Sequence, residues 1–163
     1  MDAAVAICQD AEIARWTRVP SPYGEEDARL FLKQAQRSFE SGTAFPFAVV
    51  EAPDGDLIGS ISVTIVASGI GDVGYFVHPR VRRTGVGRRA VRLISRWALE
   101  DLGLARLQIT VICDNVASQR LAESAGYRHE GVLRSWLEIK GARFDAVMHS
   151  LLPGDIDSHS GGS

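Results

Sequence analysis

Cysteine, membrane-length apolar runs and net charge are what this chain has least of, and each scarcity excludes something. The two cysteines, Cys8 and Cys113, lie far apart and in no metal-ligand spacing, so neither a disulfide framework nor a structural zinc is expected. The four histidines, His78, His129, His149 and His159, are scattered too, and no metal site is expected. The N-terminus lacks the basic, apolar and small-residue order of a signal peptide, and no apolar run reaches spanning length. A reducing, cytoplasmic setting without membrane contact is the expectation. A net charge of −2 provides no overall basic field, which disfavours a general nucleic-acid binder. What remains is a chain of 163 residues, 45% apolar and 23% charged, enough for one well-buried core. One domain is expected over residues 1–152, followed by a polar, Gly/Ser-rich and disordered tail at 153–163.

The periodicity changes along the chain. "EEDARLFLKQAQRSFES" places Ala28, Phe31, Leu32, Ala35 and Phe39 near one helical face, with acids in the first turn and Gly42 after the end. "FPFAVVEA" and "LIGSISVTIVA" are β-rich runs on either side of "PDGD", and predict an antiparallel hairpin. A third strand, "DVGYFV", stops before Pro79. Spacings of three and four then join Val86, Ala90, Leu93, Ile94, Trp97 and Ala98 into an amphipathic helix that ends near Leu102, capped by Gly103. A strand "ARLQITVIC", a short helix in "DNVASQRLAESAGY" and two strands around "KGAR" complete the order. Helix, three strands, helix, strand, helix and two strands imply a mixed sheet.

The chemistry gathers in "YFVHPRVRRTGVGRRAV", Tyr75 to Val91. Gly85 and Gly87 fall where a strand gives way to a helix, so unpaired backbone N–H groups can point outward past positions without a Cβ. That arrangement binds anions, and Arg82, Arg83 and Arg88 add charge suited to phosphate. A turn with a solvated basic face is the plainer alternative. The stretch is no Walker loop, for it lacks Gly-Lys-Ser/Thr, and it lacks the third glycine of a dinucleotide fingerprint.

Taken with its neighbours, this loop resembles the GNAT superfamily of acetyl-CoA-dependent N-acetyltransferases. The family pattern Arg/Gln-x-x-Gly-x-Gly/Ala is met by Arg82-Arg83-Thr84-Gly85-Val86-Gly87. "GYFVHPRVRRTGVG", "WALEDLGLARLQITVICDNVASQRLAESAGY" and "EGVLRSWLEIKGARFDAVMHSLL" are similar to the branch containing ribosomal-protein alanine/serine N-terminal acetyltransferases, from about Trp16 to Leu152. The resemblance implies an α/β GNAT fold: a mixed, mostly antiparallel sheet with a splayed parallel pair and flanking helices. It implies acetyl-CoA as co-substrate, with Phe76 and Val77 beside the pantetheine arm. The amides of Arg83, Thr84, Gly85, Val86, Gly87 and Arg88 would hold the pyrophosphate, helped by Arg82. Asn115 would face the pantetheine or thioester, and the N–H of Val77 or His78 would polarise the thioester carbonyl. Arg83 stands where many relatives have glycine, which leaves the loop's backbone geometry open.

The same resemblance implies direct attack by an amine, without a covalent enzyme intermediate. Many relatives protonate the departing thiolate with a tyrosine, but Ala122 occupies that place; Ser118 matches the serine used by the ribosomal branch. Its plainer role is a first-turn hydrogen bond. Tyr127 reads as core. Glu138 is the expected base, one residue past the register position held by Leu137; Asp72, Glu51 and His78 are its rivals. Relatives usually open with an edge strand, whereas this chain begins inside what resembles their first helix, so either its start is truncated or that strand is absent. Phe47 to Glu51 would then need another cover, such as a homodimer partner. The favoured acceptor is a protein or peptide N-terminus. A small-molecule amine is the alternative, and a CoA-sensing or nucleic-acid-interacting module built on the arginines is the non-catalytic one.

Overall fold

The computed structural model describes residues 2–52 and 55–157. Two short helices, α1 (Asp2–Cys8) and α2 (Ala11–Trp16), precede α3 (Glu25–Glu40). Strands β1 (Ala44–Val50), β2 (Leu57–Ala67) and β3 (Ile70–Val77) lead to α4 (Val86–Glu100), β4 (Arg106–Ile112) and α5 (Val116–Ser124). A long hairpin of β5 (Arg128–Ile139) and β6 (Ala142–Leu151) ends in a short helix, α6 (Pro153–Asp157). The six strands are ordered β1-β2-β3-β4-β6-β5, and only β3 and β4 run parallel. The fold is thus the α/β mixed sheet that the element order implied.

Each face of the sheet carries its own layer. Val73, Ile61, Val63, Ile109 and Val111 pack with Val91, Ile94, Ala98 and Leu99 of α4, with Tyr75 and Leu121 at the margin. On the opposite face, Phe76 joins Cys8, Tyr23 and Ala28 from the N-terminal helices. Strand residues one apart point to opposite faces, so β3 sends Val73 and Tyr75 one way and Asp72 and Phe76 the other. This alternation positions the whole site.

Several expectations change in three dimensions. The stripe expected along α3 is buried only at Ala28; Phe31 and Leu32 are about half exposed, at 49% and 55%. The helix touches the domain at its ends, where Phe39 meets the rings of Phe45 and Phe47 edge-on. On α4 the buried side is Gly87, Val91, Ile94, Ser95, Ala98 and Leu99, while Leu93 is 72% exposed. The sheet meets α4 along a line rotated from the one apolar spacing suggested. The hairpin of β1 and β2 is antiparallel as expected, but Pro53 and Asp54 of its "PDGD" turn lie outside the described residues.

The expected tail also changes. Pro153 to Asp157 form α6, Asp155 is buried and accepts the N–H of Leu152, and Ile156 packs on the main core. A proline at the first turn and an acid capping the chain's entry explain a helix that a polar composition concealed. Residues 158–163 lie outside the described residues. At the other edge of the sheet, no described strand pairs with the outer side of β1.

Candidate active site

The site begins where a ladder stops. β3 and β4 pair only from Ile70 with Arg106 to Asp72 with Gln108; beyond that rung the two parallel strands part. Parted strands leave backbone groups facing a gap, and the antiparallel partner shows which ones. The N–H of His78 donates to Ile58 O at 2.8 Å, within the register that places Val77 opposite Gly59. Alternate residues of an antiparallel strand turn their backbone groups to opposite sides, so the N–H and C=O of Val77 and Tyr75 face the gap. Of the two N–H groups the resemblance left open, His78 is already engaged and Val77 is directed at the opening.

Past β3, Pro79–Val81 forms a single 3-10 turn, and the chain then enters the glycine loop. Gly85 is the N-cap of α4 with φ +85°, and Arg83 has φ +64°. Both are left-handed conformations, which glycine adopts freely and Arg83 only at a cost. At Gly85 a Cβ would meet nothing closer than Arg89 Nη1 at 3.8 Å, so its surroundings are open and its conformation is the constraint. At Gly87 the reverse holds. A Cβ there would fall 2.7 Å from Leu121 Cδ1, so this glycine lets α4 lie close against α5. The N–H groups of Val86, Gly87 and Arg88 precede the first intrahelical bond, made by Arg89 N to Gly85 O at 3.0 Å. The cradle therefore fits a pyrophosphate.

Its side chains are not equally available. Arg82 is paired with Asp10, whose carboxylate also caps α2 by accepting Ile13 N at 3.0 Å. Asp10 consequently sits below the usual carboxylate range, its burial outweighed by the Arg82 guanidinium and the backbone donors. Arg82 thus ties the loop to the N-terminal helices. Thr84 turns inward and donates to Val81 O at 2.7 Å. No described ion pair engages Arg83 or Arg88.

On the far side of the gap α5 begins. Asn115 is its N-cap, with Oδ1 accepting from Ser118 N at 3.1 Å. The first-turn capping contact therefore belongs to Asn115 rather than to the Ser118 hydroxyl. That hydroxyl lies 2.8 Å from Tyr75 Oη on β3, bridging the two sides of the gap. Ala122 is wholly buried under the same helix, and Tyr127 is buried with its hydroxyl 2.7 Å from Ser95 Oγ, as its core reading required.

Four groups were open as base. Glu138 is exposed and paired with Arg143 at 3.1 Å. Strand β5 is irregular just before it: Leu133 opposes Ala146 and Leu137 opposes Phe144, so four residues of β5 advance against two of β6. Ser135 in that bulge has φ +51°, with its N–H on Asp145 Oδ1 at 2.7 Å. Glu51 is exposed and pairs with Arg80 at 2.9 Å, and His78 Nδ1 accepts Arg80 N at 3.1 Å. Asp72 is different. It occupies the last rung before the strands part, and its Oδ2 accepts Gln108 Nε2 and Thr110 Oγ1, each at 3.0 Å. Burial raises its pKa above the ordinary carboxylate value, opposed by those two donors and by the charge of Arg18. Among the described residues no cluster of three or more His, Cys, Asp or Glu could hold a metal, and no helix is long and apolar enough to cross a membrane.

Asp72 and Ser118 face the gap from opposite sides of the sheet, because Tyr75, which holds Ser118, lies three residues from Asp72 on one strand. One side can take a proton from an incoming amine while the other serves a departing thiol.

The comparisons identify the family and the fold. Residues 1–128 match the family described as acetyltransferase (GNAT) domain. The Bacillus subtilis protein named Probable N-acetyltransferase YjcK is 29% identical over 141 residues, 85% of this chain and 78% of its own. The ribosomal-protein-S5-alanine acetyltransferase of Vibrio fischeri superposes with a TM-score of 0.78 at 25% identity, over 93% of this chain and 88% of its own. The microcin C7 self immunity acetyltransferase MccE, solved with acetyl-CoA and AMP, shares the fold with a TM-score of 0.81 at 20% identity, over 93% and 87%. With the forked strand pair, the glycine cradle and the family match together, the chain belongs to the GNAT acetyltransferases and is an acetyl-CoA-dependent N-acetyltransferase.

Proposed function

We propose that the acceptor is the α-amine of a protein or peptide N-terminus, deprotonated by Asp72. The observation that carries this reading is the half-buried carboxyl of Asp72 at the fork, raised in pKa yet hydrogen-bonded by Gln108 and Thr110. An α-amine has a reference pKa of about 7.7 to 8.0 and is partly neutral near pH 7, so a weak base suffices; a lysine, near 10.4, needs more. The similarity to the Vibrio fischeri ribosomal-protein-S5-alanine acetyltransferase supports the same acceptor class.

In this reading the Arg83 to Arg88 amides bind the pyrophosphate, and Phe76 and Val77 with Asn115 line the pantetheine arm. The amine enters from the face that carries Asp72. Its nitrogen attacks the thioester carbonyl, polarised by Val77 N–H, and gives its proton to Asp72 as the C–N bond forms. The C–S bond breaks on the other face, where Ser118 hydrogen-bonds the departing sulfur and relays it a proton from solvent. Glu138, exposed and held by Arg143, is not given the base role. Both cysteines are free, in keeping with a cytoplasmic enzyme. The test is an acetyl-CoA-dependent assay read by mass spectrometry. Peptides beginning with serine or alanine are expected to gain one acetyl group, and the same peptides with blocked N-termini and free lysines none. Exclusive lysine modification, or a small amine such as an aminoglycoside turned over far faster than any peptide, overturns the assignment.

A further inference from the structure

Tyr75 has no part in the chemistry described so far, yet its hydroxyl meets the group that does. Its Oη lies 2.8 Å from Ser118 Oγ and 3.2 Å from Ser118 O. These two acceptors are not equivalent. Ser118 lies in α5, so its carbonyl already receives the N–H of Ala122 one turn on. The longer contact shares an acceptor already engaged, whereas Ser118 Oγ has no other described partner. Either hydroxyl can donate across the 2.8 Å contact, and Ser118 Oγ is the nearer acceptor for the Tyr75 hydrogen.

The rest follows from counting hydrogens. A serine hydroxyl has one hydrogen and two lone pairs. If Tyr75 fills one lone pair, the hydroxyl hydrogen of Ser118 must point elsewhere, and the open direction is the gap between β3 and α5. If Tyr75 spent its hydrogen on the carbonyl, Ser118 would turn its own hydrogen back to Tyr75 and present none to a ligand. We propose that Tyr75 is a positioning residue for acetyl transfer, donating to Ser118 Oγ so that the serine hydrogen is aimed at the sulfur leaving the thioester. Tyr75 itself exchanges no proton with substrate; its hydrogen stays on Oη throughout. Burial supports this role, since it pushes the phenol up to about 12 and keeps it a donor over the working pH range. The inference rests on Ser118 as the group facing the sulfur.

The test is a double-variant cycle, read by single-turnover acetyl transfer at saturating acetyl-CoA. Tyr75→Phe keeps the ring and its packing and removes the donor. Its rate is expected to fall about 3- to 10-fold, the scale of one net hydrogen bond, with acetyl-CoA affinity within about twofold of wild type. Ser118→Ala is expected to fall further, by up to about 100-fold. Tyr75→Phe/Ser118→Ala is expected to equal Ser118→Ala alone, because a positioning group without its target does nothing. A double variant slower by the product of the two single losses overturns the inference. So does a wild-type rate for Tyr75→Phe while Ser118→Ala is slow, which leaves the role of Ser118 intact. Wild-type rates for both singles remove Ser118 from the chemistry and the inference with it. If Tyr75→Phe alone does not fold, the double variant, which leaves no orphaned hydroxyl, is compared with Ser118→Ala: equal rates support the inference and a further loss overturns it.

Discussion

Two tyrosine–serine pairs, made of the same atoms at nearly the same distance, sit in opposite surroundings in this protein. Tyr127 and Ser95 are sealed between α4 and the sheet, 3% and 2% exposed, with oxygens 2.7 Å apart. Tyr75 and Ser118 meet at 2.8 Å beside the gap where β3 and β4 part. In both pairs the contact uses one hydrogen and leaves one over, but in the first pair burial keeps any ligand from reaching it. In the second, one hydrogen is left over for a visitor. What separates them is place: one pair is closed inside the core, the other lies beside the strands that part.

The comparison is sharpened most by a change at the break itself. Asp72→Asn keeps the shape at the last rung and removes the base, so acetyl transfer is expected to fall about 100- to 10,000-fold in single-turnover assays. Stability should move the other way, and the sign is fixed by the raised pKa. The native carboxyl holds its proton to higher pH than the unfolded one, so wild-type stability falls as pH rises from the ordinary carboxylate value through the raised native one, then levels. Asp72→Asn lacks that decline, and thermal melts from pH 3 to 8, a range set about the reference carboxylate pKa, should show the variant gaining on wild type. Parallel pH curves would mean that Asp72 carries no burial penalty.

A second way to break it is to close the cradle. Acetyl-CoA binds the native state, so it should raise Tm, by about 2.7 kcal/mol of stabilisation at one hundred times its Kd. Gly85→Asp places a carboxylate where a phosphate belongs, and the ligand-induced shift is expected to vanish in calorimetry of protein that remains folded. A full shift would take the loop out of the binding site.

The sealed pair gives the converse result. Tyr127→Phe orphans the buried Ser95 hydroxyl and should cost about 1 to 3 kcal/mol in denaturant unfolding, while acetyl transfer by the folded enzyme stays at the wild-type rate. A rate loss matching that of Tyr75→Phe would erase the distinction between the pairs. The smallest effect is expected at Arg83. A non-glycine residue at φ +64° carries roughly 1 kcal/mol of strain, partly offset by the freedom glycine adds to the unfolded chain, so Arg83→Gly should stabilise by less than about 1 kcal/mol. Destabilisation instead would show that the Arg83 side chain contributes more than its backbone costs.

The sites that were legible in the sequence are those carried by local chemistry. Gly85 and Gly87 announced a strand-to-helix junction; their different reasons, a left-handed backbone at one and helix packing at the other, were not legible. Asn115 and Ser118 were both marked, but which supplied the cap depended on where α5 begins. Glu138 was misleading because it lies one residue past Leu137 and so turns to the other face of β5; the bulge at Ser135 adds two residues and leaves that alternation intact. Tyr75 gave no signal beyond its place in "GYFV": its partner is 43 residues away.

Sequence by itself determined the order of elements from α3 to β6, the mixed sheet, the glycine loop at the strand-to-helix junction and the family, because turn residues, apolar period and a glycine loop act over a few residues at a time. Tertiary structure alone decided which carboxyl stands at the fork, which N–H faces the gap, which side of α4 is covered and which hydroxyl Tyr75 meets. Those depend on contacts between residues distant in sequence, such as the β3–β4 ladder that ends at Asp72 and Gln108, which no local pattern records.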